Sequence, residues 1–555
     1  MQSRINKFLA LPVLISLALV GGGIYYLHER HKKFDHLESL LDQYASMKDS
    51  LEKVLIHKNI PTSTATVTSE PQDETTISSS WIDIQKKVKN TVVQVFAQIN
   101  EFNWLEPYKT PRQGEGAGSG FFINDQGHVI TNYHVVMQST NIEIQIPLFG
   151  MERFDAKLIG ASPERDIALL KVTDEALEKI KQKLHPIPFL TFDDSDAVIR
   201  SQEILALGYP LAQSRLKSTL GIVSGRETLG YFGYIQVTTP LNPGNSGGPA
   251  LNNAGKVVGI NSRGVMGAQN VGYIIPINEV KSALNDLYRV PLLRKPTLGC
   301  IFTYATPEMV SYLGNPDQGG WYIAKVFDNT LLKKAGLKKD DMLYKVNGYR
   351  IDMYGELDVP WSEDKVSLFE LLNRYKIGDT LNFSIYRKGK PMEFAFKLDD
   401  SYLPPIRTIY SEFEPEAIDY EIIGGMVVMP LSLNHVSIMI SGVPSLVKYG
   451  QPDKQHTPAL VITHVLPNSQ ASRARVLRPG EIIAAINNEK VQTLDDLRKA
   501  VLKSKDKEFL TVRTDNNLYG VLSVDRIVKD EPMLSAQYFY KSSPLIEHLR
   551  EEKRG

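Results

Sequence analysis

The chain has 555 residues, 42% apolar and 23% charged, which excludes wholesale disorder and leaves room for several hydrophobic cores. Lysine plus arginine balances aspartate plus glutamate at 63 each, and this zero net charge gives no support to a nucleic-acid partner, which wants a basic face. The single cysteine, Cys300, has no partner for a disulfide or a cysteine-based metal site and reads as a small buried hydrophobe.

Near the N-terminus, Phe8 to Leu27 form a nearly uncharged run of 20 residues between Arg4/Lys7 and the basic stretch from His28 to Lys33. As a helix this run matches the ~30 Å of a bilayer core, and it predicts an uncleaved membrane anchor within residues 1–33. A secretory signal ending near Val20 is the alternative, although no small-x-small cleavage site follows. Phe34, Leu37, Leu41, Tyr44, Leu51 and Leu55 then recur at helical spacing and predict a stalk over 34–57. The polar residues 58–80 lack the apolar surface to offset chain entropy and are expected to be a flexible linker.

From 81 to 290 the pattern changes to short β-rich runs near Val92, Gly120, Val129, Ile142, Ile167, Ile204, Ile235, Val257 and Gly272. Asn124-Asp125-Gln126-Gly127 and Asn252-Asn253-Ala254-Gly255 read as hairpin turns. Two small barrels fit this length. Beyond, Lys334 to Gly348 is echoed by Arg473 to Asn488, each followed by a helical segment, Leu368–Tyr375 and Leu494–Leu502. Two related α/β modules are therefore expected over 291–400 and 401–530, ahead of a charged, uninformative tail at 531–555.

The strongest chemical motif is Asn242-Pro243-Gly244-Asn245-Ser246-Gly247-Gly248-Pro249-Ala250. Its glycines permit a tight turn that exposes a serine hydroxyl while main-chain N–H groups converge on an oxyanion. Gly244, Asn245 and Ser246 form that candidate oxyanion loop, with Gly244 and Ser246 as the donors. A base is available in Thr131-Asn132-Tyr133-His134-Val135-Val136, and an orienting acid in Arg165-Asp166-Ile167-Ala168-Leu169-Leu170. Taken singly, each has a bland reading as a loop, strand-end or turn residue. Together, within one β-rich region, they assign Ser246 as nucleophile, His134 as general base and Asp166 as its orienting partner. No metal or cofactor is implied: glycines 114–120 miss the Gly-x-Gly-x-x-Gly spacing and lie in no βαβ unit.

These three segments, with Gly118-Ser119-Gly120-Phe121 and Leu207-Gly208-Tyr209-Pro210, closely resemble the HtrA (Deg) serine proteases. The resemblance implies a mainly β fold: a trypsin-like double β-barrel protease domain followed by two α/β PDZ-like domains, here with an N-terminal transmembrane helix. It implies ATP-independent cleavage of unfolded or damaged proteins, usually by a homotrimer or a multiple of trimers. Ser262, Gly272 and Tyr273 would shape the specificity pocket, and the small residues of the loop after Ser262 suggest a small apolar P1 side chain. Leu298-Gly299-Cys300-Ile301 would receive a peptide carboxylate in the first PDZ-like module, whose longer form is similar to that of plant-type members. In the second, Ala-Gly-Leu becomes Arg473-Ala474-Arg475, and oligomer contacts or self-occlusion are the alternatives to peptide capture. Thr238-Thr239-Pro240 departs from the family's usual Thr-Asp-Ala. The expected location is a membrane-anchored, periplasmic or other extracytoplasmic one, with secretion after signal cleavage as the alternative. The rival function is a latent protease acting as a chaperone or peptide-binding scaffold at the membrane.

Overall fold

The computed structural model describes residues 75–264 and 270–552. The expected membrane helix and the stalk at 34–57 lie outside them. Among the described residues no helix is long and apolar enough to cross a membrane.

Two closed barrels follow one another. The first contains β1 Val92–Glu101, β2 Arg112–Phe122, β3 His128–Thr131, β4 Ser139–Gln145, β5 Arg153–Ser162 and β6 Ile167–Val172, closed in the order β1-β2-β3-β6-β5-β4. The second contains β7 Glu203–Gly208, β8 Lys217–Leu229, β9 Phe232–Val237, β10 Pro249–Leu251, β11 Val257–Gly264 and β12 Gly272–Pro276, in the order β10-β11-β12-β9-β8-β7. Read from β7, this is the same winding as the first barrel.

The β-rich runs expected from sequence fall in these strands, while β5, β8 and β10 go beyond them. β5 carries Arg153, Asp155 and Lys157 on its outer face, β8 is largely polar and exposed, and β10 is three residues long. None of these presents the apolar run that marks a strand in sequence. Both turn motifs are Asx turns: Asn124 Oδ1 accepts from Gln126 and His128 N–H, and Asn252 Oδ1 from Ala254 and Lys256 N–H.

A helix at Thr75–Val88 precedes β1, so residues 75–80, expected as linker, are its first turns. Trp81, Ile84 and Val88 fall on one face at helical spacing and join the core that also holds Phe121, Leu169 and Leu251. The indole of Trp81 donates to Glu203 at 3.2 Å.

The first C-terminal module is a sheet of strands Cys300–Thr303, Trp321–Val326, Met342–Val346, Thr380–Arg387 and Lys390–Lys397, with helix Leu368–Asn373. The second repeats this arrangement with Met426–Pro430, Leu460–Val465, Ile482–Ile486, Phe509–Thr514 and Tyr519–Ser523, with helix Leu494–Leu502. The sequence echo has a structural basis in its helix ends. Gly336 closes helix Leu331–Ala335 at φ 95°, and Arg475 closes helix Gln470–Ala474 in the same left-handed region at φ 59°. The second module runs past 530: helices Val524–Tyr538 and Pro544–Glu552 add Val524, Ile527, Leu545, Ile546 and Leu549 to its core. The expected uninformative tail is thus part of the fold.

The second module also grips the first barrel. Trp104, in the β1–β2 connection, is buried among Ile406, Ile409, Met429 and Leu431. Its carbonyl accepts a hydrogen bond from Nε2 of the fully buried His435 at 3.1 Å.

Candidate active site

The cleft between the barrels is assembled from strand ends. β3 pairs antiparallel with β6, Thr131 opposite Ala168, so the residues after β3 and before β6 emerge together. These are Asn132 to Val136 and Asp166. Asn132 ties the two segments by donating from Nδ2 to the Asp166 carbonyl at 2.9 Å. Asp166 has a left-handed backbone, φ 55° and ψ 43°, a region that aspartate tolerates better than most residues. Its carboxylate lies 2.8 and 3.0 Å from His134 Nδ1 and accepts from the His134 N–H at 3.0 Å. One carboxylate therefore fixes both the ring and the backbone of His134. With Nδ1–H directed at Asp166, Nε2 is left as the acceptor facing the cleft.

The second barrel supplies the loop between β9 and β10. Gly244 and Gly247 have φ of 97° and 86°, and a side chain at either position would collide with main chain, at Tyr209 and Ser119 respectively. Asn245 N–H is taken by the Asn242 carbonyl, whereas among the described residues Gly244 and Ser246 N–H have no acceptor. That leaves the two donors an oxyanion requires. The Ser246 hydroxyl donates to the Ser262 carbonyl at 2.8 Å, and Ser262 Oγ lies 3.4 Å from Asp166. Ser246 and His134 both line the cleft between the barrels, and the Ser246 hydroxyl is bonded to Ser262 and not to His134.

Ser119 locks this loop to the first barrel. Its N–H donates to the Ser246 carbonyl at 2.8 Å, and its hydroxyl donates to Gly244 at 2.6 Å and accepts from Tyr209 N–H at 2.9 Å. Its carbonyl accepts from Thr131 Oγ1 at 2.7 Å. This role is not legible in the sequence, because the Tyr209, Gly244 and Ser246 partners lie 90 or more residues away. Thr238 Oγ1 accepts from Ile222 N–H at 2.9 Å and Thr239 is buried, so the departing Thr-Thr-Pro segment is itself anchored.

The cleft measures about 1330 Å³, and Ser262 lines it together with Leu241, Gly264 and Val271. Gly272 and Tyr273 do not. Gly272 pairs with Val237 on the strand behind, and Tyr273 is buried against Tyr234, ring centroids 6.1 Å apart. Residues 265–269 of the expected pocket loop lie outside the described ones. Arg263 reaches the Tyr234 hydroxyl at 3.0 Å, putting a cation on the wall of a loop otherwise rich in small residues. On the opposite shoulder stands Glu164, whose pKa burial raises while Arg294 opposes the rise. Among the described residues no group of His, Cys, Asp or Glu side chains is arranged to hold a metal ion.

Leu298-Gly299-Cys300-Ile301 lies away from the cleft. Gly299 is left-handed at φ 76°, and its carbonyl accepts from Phe327 N–H and Thr330 Oγ1 while that of Leu298 accepts from Leu332 N–H. Strand Cys300–Thr303 follows at the sheet edge, where burial pushes the Cys300 thiol pKa up. Gly424 and Gly425 repeat this loop in the second module, their carbonyls accepting from Ala471 and Leu466 N–H. There, however, the chain's own strand Glu421–Ile423 pairs with Met426–Pro430 and takes the edge.

Comparison with known proteins gives this geometry its context. Residues 118–260 match the trypsin-like peptidase domain family, and residues 410–543 match the PDZ domain family. A probable periplasmic serine endoprotease, DegP-like, of Hahella chejuensis is 26% identical over 440 residues, covering 76% of this chain and 83% of the relative. Its counterpart in a Marinomonas species is 27% identical over 481 residues, 83% of this chain and 90% of the relative. The serine protease Do-like HtrA of Bacillus subtilis is 31% identical over 306 residues, 51% and 64% of the two chains. The chain is homologous to DegP/HtrA serine endoproteases. The trypsin-like match of this DegP/HtrA homologue spans His134, Asp166 and Ser246. Its PDZ match, residues 410–543, contains the whole of helix Val524–Tyr538, whose residues 531–538 fall in the expected tail.

Proposed function

We propose that Ser246 is the nucleophile, His134 the general base and Asp166 the group that orients it, in an endopeptidase acting on unfolded or damaged proteins. The supporting observation is the double hold of Asp166 on His134, at ring and backbone, beside a serine loop with two unoccupied N–H groups. His134 takes the Ser246 proton as Oγ attacks the scissile carbonyl. Gly244 and Ser246 N–H receive the developing oxyanion, and His134 then protonates the leaving amine. Water, activated by the same histidine, releases the acyl group. No cofactor enters this sequence.

Leu298 to Ile301 capture substrate C-termini by strand addition to the edge strand Cys300–Thr303. The second module, its corresponding edge filled by residues 421–423, serves as scaffold. The protein works in an extracytoplasmic space such as the periplasm, as the named location of two relatives supports. The apolar run Phe8–Leu27 tethers it to the membrane, and it assembles as a homotrimer or a multiple of trimers. One experiment tests the substrate reading: hydrolysis by the full chain of one protein in folded and unfolded forms, each with a free or an amidated C-terminus. Faster cleavage of the unfolded form, with KM raised by amidation, is expected. Equal rates on folded and unfolded forms would sink the substrate assignment, and indifference to amidation would sink capture at Leu298–Ile301.

A further inference from the structure

The segment joining the two C-terminal modules does more than connect them. Residues 406–414 run back across the first barrel and reach the cleft, which Tyr410 lines together with Tyr133, His134, Pro163 and Glu164. The Tyr410 ring meets the Tyr133 ring edge-on, centroids 5.9 Å apart, and the Arg294 guanidinium lies over Tyr410 at 4.9 Å.

Two residues further, Glu412 Oε1 accepts hydrogen bonds from the Tyr133 hydroxyl and from Gln138 N–H, the latter at 3.1 Å. Those groups bracket the turn that carries His134. The turn is weak by itself. Helix Tyr133–Val136 has four residues, no side-chain cap at Asn132 and an exit through Gln138, a non-glycine residue at φ 55°. The other oxygen, Glu412 Oε2, is buried with no hydrogen-bond partner among the described residues. A carboxylate placed at such a cost for packing alone is a poor exchange.

The segment is anchored on both sides. Glu414 joins Arg294 and Arg407, and Tyr410 N–H donates to Glu414 at 3.2 Å. Towards the second module, Ile409 exchanges two hydrogen bonds with the Asn434 side chain, at 2.9 and 3.0 Å.

We infer that residues 406–414 complete the active site, with Tyr410 as a specificity-determining wall for a substrate side chain flanking P1 and Glu412 as a positioning residue for His134. The inference rests on His134 being the general base. It makes the C-terminal half of the chain part of the catalytic apparatus and not only a means of substrate recruitment.

The test uses the full chain and peptides varied singly at each position around P1, with Tyr410→Ala, Glu412→Ala, Glu412→Gln and Ser246→Ala compared with wild type. Tyr410→Ala is expected to leave P1 preference unchanged and shift selectivity at one flanking position ~10-fold, the worth of one apolar pocket contact. Glu412→Ala is expected to lower kcat ~10-fold with KM nearly unchanged, through a sub-ångström shift of the base. Glu412→Gln keeps an acceptor oxygen and restores most of that loss. Folded Tyr410→Ala and Glu412→Ala proteins with wild-type selectivity and kcat would overturn the inference. So would losses that track a lowered melting midpoint and vanish on cooling, or a Glu412→Gln loss equal to that of alanine. Activity that survives Ser246→Ala would instead remove the triad reading on which the inference stands.

Discussion

Asp166 concentrates the local chemistry. Its carboxylate accepts from the backbone and ring of His134, and its carbonyl from Asn132. Replacing Asp166 with asparagine preserves the shape and removes the charge that selects the His134 tautomer and stabilises the imidazolium. An Asp166→Asn enzyme is expected to fold like wild type and lose ~10⁴-fold in kcat, the loss seen for the equivalent change in trypsin-like enzymes. Active-site titration and steady-state kinetics at pH 7 check this, and a loss under tenfold would contradict the assigned role. His134, Asp166 and Ser246 can be named from sequence because each sits in a compact motif whose residue types the proposed chemistry demands. Ser119, Tyr410 and Glu412 cannot, because their roles come from partners that folding brings from far along the chain. The resemblance names Gly272 and Tyr273 as shaping the specificity pocket; both are buried on β12, with Tyr273 packed behind the cleft-lining Tyr234.

The elements show how far patterning carries. Strands with apolar runs were visible, as was helix Leu494–Leu502 with its Thr493 cap. The charged face of β5 and the brevity of β10 hid those strands, since barrel closure, and not local propensity, holds them. The junction of the β1–β2 connection with the second module has its own pH signature. His435 accepts at Nδ1 from Ser432 N–H and donates from Nε2 to Trp104, so it is held neutral, and burial lowers its pKa to about 4. Unfolded, it titrates near the ordinary value of 6.5. The unfolded chain therefore binds the extra proton between these values. This contribution is full above pH 6.5 and is lost as pH falls towards 4, amounting to about 2 kcal/mol by pH 5. Unfolding free energies from urea melts should fall between pH 7 and pH 5 by about 2 kcal/mol more in wild type than in His435→Gln. A pH difference unaltered by the substitution would contradict the account.

On the scale of the whole molecule, two duplications have been put to unequal use. The barrels wind alike, yet the first carries the proposed base and acid and the second the proposed nucleophile loop, so on this reading neither half is chemically complete. The C-terminal modules share a sheet order and a left-handed helix end, yet one leaves strand Cys300–Thr303 at its sheet edge and the other covers the corresponding strand with residues 421–423. The edge was foreseeable as a possibility from the altered Arg473-Ala474-Arg475 pattern. The occupant was not, because a three-residue strand formed by Glu421–Ile423 has no sequence signature of its own. Trp104 and Glu412 bind the filled module to the first barrel, so the second module is built into the protease and not tethered beside it.

The most direct test of the central claim is covalent labelling of the full chain by a serine-directed phosphonate, mapped to a peptide by mass spectrometry. In wild type the adduct should fall on Ser246 alone, with loss of peptidase activity in proportion to labelling, and Ser246→Ala should neither label nor cleave. An adduct on another serine, or labelling and cleavage that persist in Ser246→Ala, would contradict the assignment of the nucleophile.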